Sequence, residues 1–99
     1  MRLEMPEIIM DGSNWTTPDD VYDAFFKAVG APAWHGRNFN ALRDSIAVGR
    51  VNRLEIPYSI KIRNYSSIGA GARETARGFI DLINDLHASG CSVRLEIES

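Results

Sequence analysis

The residues best suited to chemistry lie between Trp34 and Asp44, in the run WHGRNFNALRD. This stretch holds an indole, an imidazole, a turn glycine, two side-chain amides, two guanidinium groups and a carboxylate. Two kinds of chemistry are open to it. His35 with Asp44 has the makings of an acid–base pair. The set as a whole, if exposed, suits recognition of another molecule. Aromatic rings supply contact area, amides supply donors and acceptors, and Asp44 supplies a charge for a basic partner. The acid–base reading lacks a nucleophile at a recognisable spacing, and a loop histidine beside a turn is common, so no catalytic residue is assigned. Trp34 also has a plain structural use, as a ring packed over the end of the core between two helices. Phe39 sits at the edge of an apolar stripe and shares that ambiguity. Their neighbours Asn38, Asn40, Arg43 and Asp44 cannot all be buried cheaply, which favours a binding surface.

Other reactive residue types are sparse. His87 stands near the end of a helical pattern, where an imidazole can interact with the helix C-terminus. Cys91 follows a helix-ending glycine and reads as a small buried residue rather than a reactive thiol. The two histidines and single cysteine are spread along the chain without the close pairs of zinc sites, so no metal is expected. The run Ile68-Gly69-Ala70-Gly71-Ala72 opens a helix, as phosphate loops do. It lacks the Lys-Ser/Thr of a nucleoside-triphosphate loop and a full dinucleotide fingerprint, and no cofactor is expected.

Composition narrows the partner classes. The chain has 99 residues, 44% hydrophobic and 24% charged, which fits one domain over residues 1–99. No apolar run reaches the roughly 18 residues of a membrane span, and Met1–Met10 lacks the apolar core of a secretory signal. With one cysteine and no need for an oxidising compartment, the expected location is the cytoplasm. A net charge of −2 and a pI near 5.6 argue against direct binding of nucleic acid, which favours a basic excess.

The elements that would position these residues follow from periodicity and caps. Ile8-Ile9-Met10 is a short continuous apolar run before Asp11-Gly12, as expected of a strand covered on both faces. Thr17, Pro18, Asp19 and Asp20 form a helix start, and Gly30 with Pro32 ends that helix. Asn38 caps a second helix running to about Ala47, halted by Gly49. Its apolar stripe is Phe39, Leu42 and Ile46, while Asn40, Arg43, Asp44 and Ala47 share another face. Tyr58 to Arg63 alternates after Pro57 and reads as a strand. Asn64–Gly71 reads as a loop. A helix from about Ala72 to Ser89 buries Ala72, Ala76, Phe79, Ile80, Ile83 and Leu86, with Arg77, Asp81 and Asp85 on its polar side. Val93, Leu95 and Ile97 alternate in a last strand after Gly90. Strands separated by helices predict an α/β fold with a three-stranded parallel sheet and helices mainly on one face. The doubly apolar first strand is expected at its centre.

These residues together resemble the barstar family of bacterial ribonuclease inhibitors. The segment Ala31–Ile46 carries the family's Pro, aromatic, Gly-x-Asn, Ala-Leu and Asp. Ile8–Gly12 resembles its first strand and turn, Pro57 the proline before its second strand, and Gly90-Cys91 its last helix–strand junction. The resemblance implies a barstar-like fold and a cytoplasmic, non-enzymatic protein that blocks the active site of a ribonuclease or nuclease toxin. It implies a partner-binding surface made of Trp34, His35, Gly36, Asn38, Phe39, Asn40, Arg43 and Asp44, with Asp85 reaching the nuclease's rim. Asp44 would be the central acidic contact. Asn40 stands where the family has a second aspartate, Arg37 where it has a glutamate and Arg43 where it has a tryptophan. Those departures, and differences between Ser45 and Pro57, imply a related inhibitor with another cognate enzyme, such as a toxin. The alternative is a regulatory or interaction module that keeps the fold without inhibiting a ribonuclease. A small enzyme and an RNA-binding domain rank behind both. A monomer is expected when free.

Overall fold

The structure, a computed structural model, describes residues 6–31, 36, 38–47 and 56–99. Strand β1 spans Glu7–Asp11, helix α1 Pro18–Val29, helix α2 Phe39–Ala47, strand β2 Tyr58–Arg63, helix α3 Ala70–Ala88 and strand β3 Val93–Ile97. Single 3₁₀ turns at Gly12–Asn14 and Tyr65–Ser67 follow β1 and β2.

Local signals account for most boundaries. The Asp20 carboxylate accepts the backbone amides of Thr16 at 2.8 Å and Thr17 at 3.0 Å, satisfying donors at the head of α1. These bonds hold its carboxyl below the usual carboxylate range. Gly30 ends the helix in a left-handed conformation. Helix α3 begins two residues earlier than its apolar period predicts. Gly69 and Gly71 belong to its start because the main chain of Trp15 and Thr16 passes there. The Gly69 amide donates to the Trp15 carbonyl at 2.9 Å. A Cβ on Gly71 would collide with the Thr16 carbonyl. These glycines serve close backbone packing, not a phosphate.

The sheet is parallel throughout, in the order β1-β2-β3. Ile8 pairs with Ile60 and Met10 with Ile62, while Tyr58 pairs with Val93 and Ile60 with Leu95. The central strand is therefore β2, and the expectation of a central β1 is wrong. The run Ile8-Ile9-Met10 misleads because Ile9 faces the open side of the sheet, where it is 54% exposed. Only Ile8 and Met10 of β1 turn toward the helices.

One hydrophobic core lies between sheet and helices. It joins Ile8, Met10, Tyr58, Ile60, Ile62 and Val93 of the sheet to Val21, Phe25 and Val29 of α1 and to Ala72, Ala76, Phe79, Ile83 and Leu86 of α3. Phe25 is the hub, with its ring centroid 5.3 Å from Phe79 and 6.3 Å from Tyr58. Trp15 and Ile68 close the core beyond the strand ends. The opposite sheet face carries cross-strand charges: Lys61 lies 4.0 Å from both Glu96 and Glu98, and Arg63 Nε lies 3.2 Å from Glu98. All-parallel sheets are usually covered on both faces, and these charges are what suits this one to face water. Among the described residues, no helix is long and apolar enough to cross a membrane.

Candidate functional site

The second helix is anchored on one side and open on the other. Leu42 and Ile46 are buried almost completely, so two residues of the stripe expected to face inward do so, while the third, Phe39, is only partly covered. Asn38 is the helix's cap: its Oδ1 accepts the Ala41 amide at 2.8 Å. Gly36 lies close to this first turn, where a Cβ would sit 3.0 Å from the Asn38 amide nitrogen.

Phe39 performs both of the roles that its sequence position left open. Its ring lies against Tyr22 of α1, with centroids 5.7 Å apart, and against Gly78 of α3. A Cβ on Gly78 would come within 2.5 Å of Phe39 Cζ, so the ring occupies space that only glycine leaves. The same side chain remains 39% exposed. It is thus a wedge that ties α2 to two helices and still presents an aromatic edge. Burial, reinforced by Asp19, pushes the Tyr22 phenol's pKa up, so it meets Phe39 as a neutral ring.

The outward face of α2 carries Asn40, Arg43, Asp44 and Ala47, all exposed. Arg43 Nη2 lies 4.0 Å from Asp85 Oδ2 on α3. That contact brings two expected binding residues together across the helix pair. Both side chains are largely solvated, so the pair contributes little to stability. Asn40 and Asp44 have no side-chain hydrogen bond or ion pair among the described residues. Among the described residues Asp44 thus presents a carboxylate without a partner, next to a guanidinium that lies against a second carboxylate. Trp34, His35 and Arg37 lie outside the described residues, as do Pro32 and Gly49.

The remaining sequence candidates have structural uses. His87 Nδ1 lies 3.0 Å from the Val93 carbonyl, a contact that requires this nitrogen to carry the hydrogen. It ties the end of α3 to the start of β3. Cys91 is half-buried against the core. Among the described residues, no group of three or more His, Cys, Asp or Glu is arranged to hold a metal ion. Gly78 is the site-supporting residue that sequence reasoning missed. Its only signal is a glycine inside a helical period, where alanine would be the better helix former.

Comparison with curated proteins gives no match. The family model described as Barstar (barnase inhibitor) matches residues 5–97, nearly the whole chain and every element described above. The parallel sheet, the capped second helix and that match agree, and the chain belongs to the barstar family of barnase inhibitors.

Proposed function

We propose that this protein inhibits a bacterial ribonuclease, acting in the cytoplasm as the immunity partner of a nuclease toxin. The observation that carries this reading is the exposed Asp44 carboxylate, without a partner among the described residues, on the anchored α2 helix of a chain of the barnase-inhibitor family. A ribonuclease must gather Arg, Lys and His around a phosphate, and a fixed carboxylate satisfies the same cations through charge-assisted hydrogen bonds. Asn38 and Phe39 present the helix start, Asn40 supplies an amide, and Asp85 reaches the rim. The family resemblance assigns Trp34, His35 and Gly36, which precede the helix in sequence, to the same binding surface. The mild negative charge of −2 favours encounter with a basic enzyme. The inhibitor itself does no catalysis and touches no nucleic acid.

The test is co-expression with candidate ribonuclease toxins, scored as rescue of growth. Wild type is expected to rescue cells from its cognate enzyme. Asp44→Ala should weaken binding by about 2–5 kcal/mol, a magnitude taken from the barnase–barstar pair rather than worked from this chain. Rescue that survives the substitution would remove Asp44 from the central role.

Arg43 favours a second reading. It offsets Asp85 at 4.0 Å, so the face is less acidic than two free carboxylates would make it. A repurposed interaction module would keep this mixed face and inhibit no ribonuclease. Failure of wild type to rescue cells from any candidate enzyme selects that reading.

A further inference from the structure

The two edges of the sheet differ in what a second copy of the chain would meet. The Tyr58 amide donates to the Ser92 carbonyl at 3.2 Å, and the Glu98 amide donates to the Ile62 carbonyl at 2.8 Å. In a parallel ladder this pattern turns the amides and carbonyls of Val93, Leu95 and Ile97 to the outer side of β3. Among the described residues, no strand pairs with that side. Leu95 is half-buried and Ile97 is 48% exposed. A cleft of about 510 Å³ reaches this strand as well, lined by Arg94, Leu95 and Glu96 together with Asn84 and His87 of α3 and with Glu7, Ser59 and Ile60 of the other strands.

A second β3 laid antiparallel on this edge, with the two-fold axis at Leu95, finds a self-complementary sequence. Leu95 faces Leu95 at a hydrogen-bonded position. Arg94 faces Glu96 of the second copy, and symmetry repeats the pair. These are non-hydrogen-bonded positions, where opposed side chains approach most closely. Val93 faces Ile97 on the helix side. Arg94 is suited to the role: its neighbour across the sheet is Ser59, and it has no ion pair among the described residues. Glu96 has half a claim on one cation, because Lys61 lies equally far from Glu96 and Glu98. The β1 edge lacks this complementarity. The Ser59 amide donates to the Pro6 carbonyl, so Glu7, Ile9 and Asp11 point their main-chain groups outward. Self-pairing about Ile9 would set Glu7 against Asp11, carboxylate against carboxylate.

We propose that β3 is a self-association edge, through which two copies join antiparallel over Val93–Ile97 into one six-stranded sheet. The dimer is weak and concentration-dependent, because the shared edge is short and Val93 is already engaged at both ends of the symmetric ladder, its amide donating to the Cys91 carbonyl and its carbonyl held by His87. It departs from the monomer expected of the free chain and does not rest on the inhibitor reading.

Sedimentation equilibrium of the whole chain, from micromolar to millimolar concentration, tests it. The wild-type mass should rise from 11.0 kDa toward twice that value. R94E and E96R each place like charges opposite one another and should weaken association by about tenfold. The R94E/E96R double swap should restore it. Circular dichroism checks that each exposed substitution leaves the chain folded. A wild-type monomer across the whole range overturns the proposal. A dimer indifferent to the single swaps also overturns it, since association would then use another surface.

Discussion

Gly78 offers a test of how the second helix is held, through the substitution Gly78→Ala. In the interior of a helix this change normally stabilises a protein by about 0.5–1 kcal/mol. Here the new Cβ would lie 2.5 Å from Phe39 Cζ, about 1 Å inside ordinary carbon–carbon contact. The ring is the far end of a side chain that is 39% exposed, so it can swing away into water. Doing so forfeits its contacts with Tyr22 and Gly78. Full burial of a phenylalanine side chain is worth up to about 3 kcal/mol, and a ring buried over somewhat more than half its surface loses about 1–2 kcal/mol when displaced. The loss exceeds the gain in helix propensity, so Gly78→Ala should destabilise by roughly 0.5–1 kcal/mol. In a Phe39→Ala background the obstacle is gone, and the same substitution should stabilise by about 0.5–1 kcal/mol. Urea unfolding of the four proteins in this double-mutant cycle measures both values. Equal effects of the same sign in the two backgrounds would refute the packing of Phe39 on Gly78.

Further expectations concern the elements around the site. Leu42→Ala removes a fully buried side chain and should cost about 2–5 kcal/mol in denaturant unfolding, leaving the outward face of α2 chemically unchanged. Asn38→Ala should cost about 1 kcal/mol by freeing the Ala41 amide, measurable by the same unfolding curves, with Asn38→Asp close to wild type. Asp20→Ala should lower the thermal midpoint at neutral pH. The folded-state pKa of Asp20 is depressed, so its contribution is complete above the unfolded value of about 3.9 and disappears as pH falls through the folded value. A difference between Asp20→Ala and wild type that stayed constant down to the lowest pH would contradict that assignment.

Much of this architecture is legible in the amino-acid order because its causes are local. Thr17-Pro18-Asp19-Asp20 and Gly30 bracket α1 with residues whose chemistry belongs to helix ends. The alternation of Tyr58–Arg63 reports a strand with one covered face. What the order hides is set by distant neighbours. Ile9 looks internal between Ile8 and Met10, and only the one-sided helix layer exposes it. The glycines at 69 and 71 read as a loop because the passing main chain of Trp15 and Thr16 is more than fifty residues away. At the site, the polar side of α2 follows from its period. The approach of Arg43 to Asp85, and the seat that Gly78 makes for Phe39, depend on how α2 lies on α3.

The closed ends of the strands bear on how such a molecule can change its target. In open α/β sheets, ligands settle in the crevice beyond the carboxyl ends of the strands. Here the chain beyond β1 and the chain beyond β2 fold onto each other, with the Ile68 side chain against Gly12 and the α3 start against Thr16. Backbone and core side chains occupy the region where a small molecule would otherwise be held. The proposed recognition surface lies instead on a helix whose inner side is fixed by Leu42, Ile46 and Phe39 and whose outer side is exposed. Under that proposal the scaffold is uncoupled from its specificity. On the proposed reading, exposed positions 40, 43, 44 and 47 can exchange charge and size to suit another partner, while the packing that presents them stays as it is.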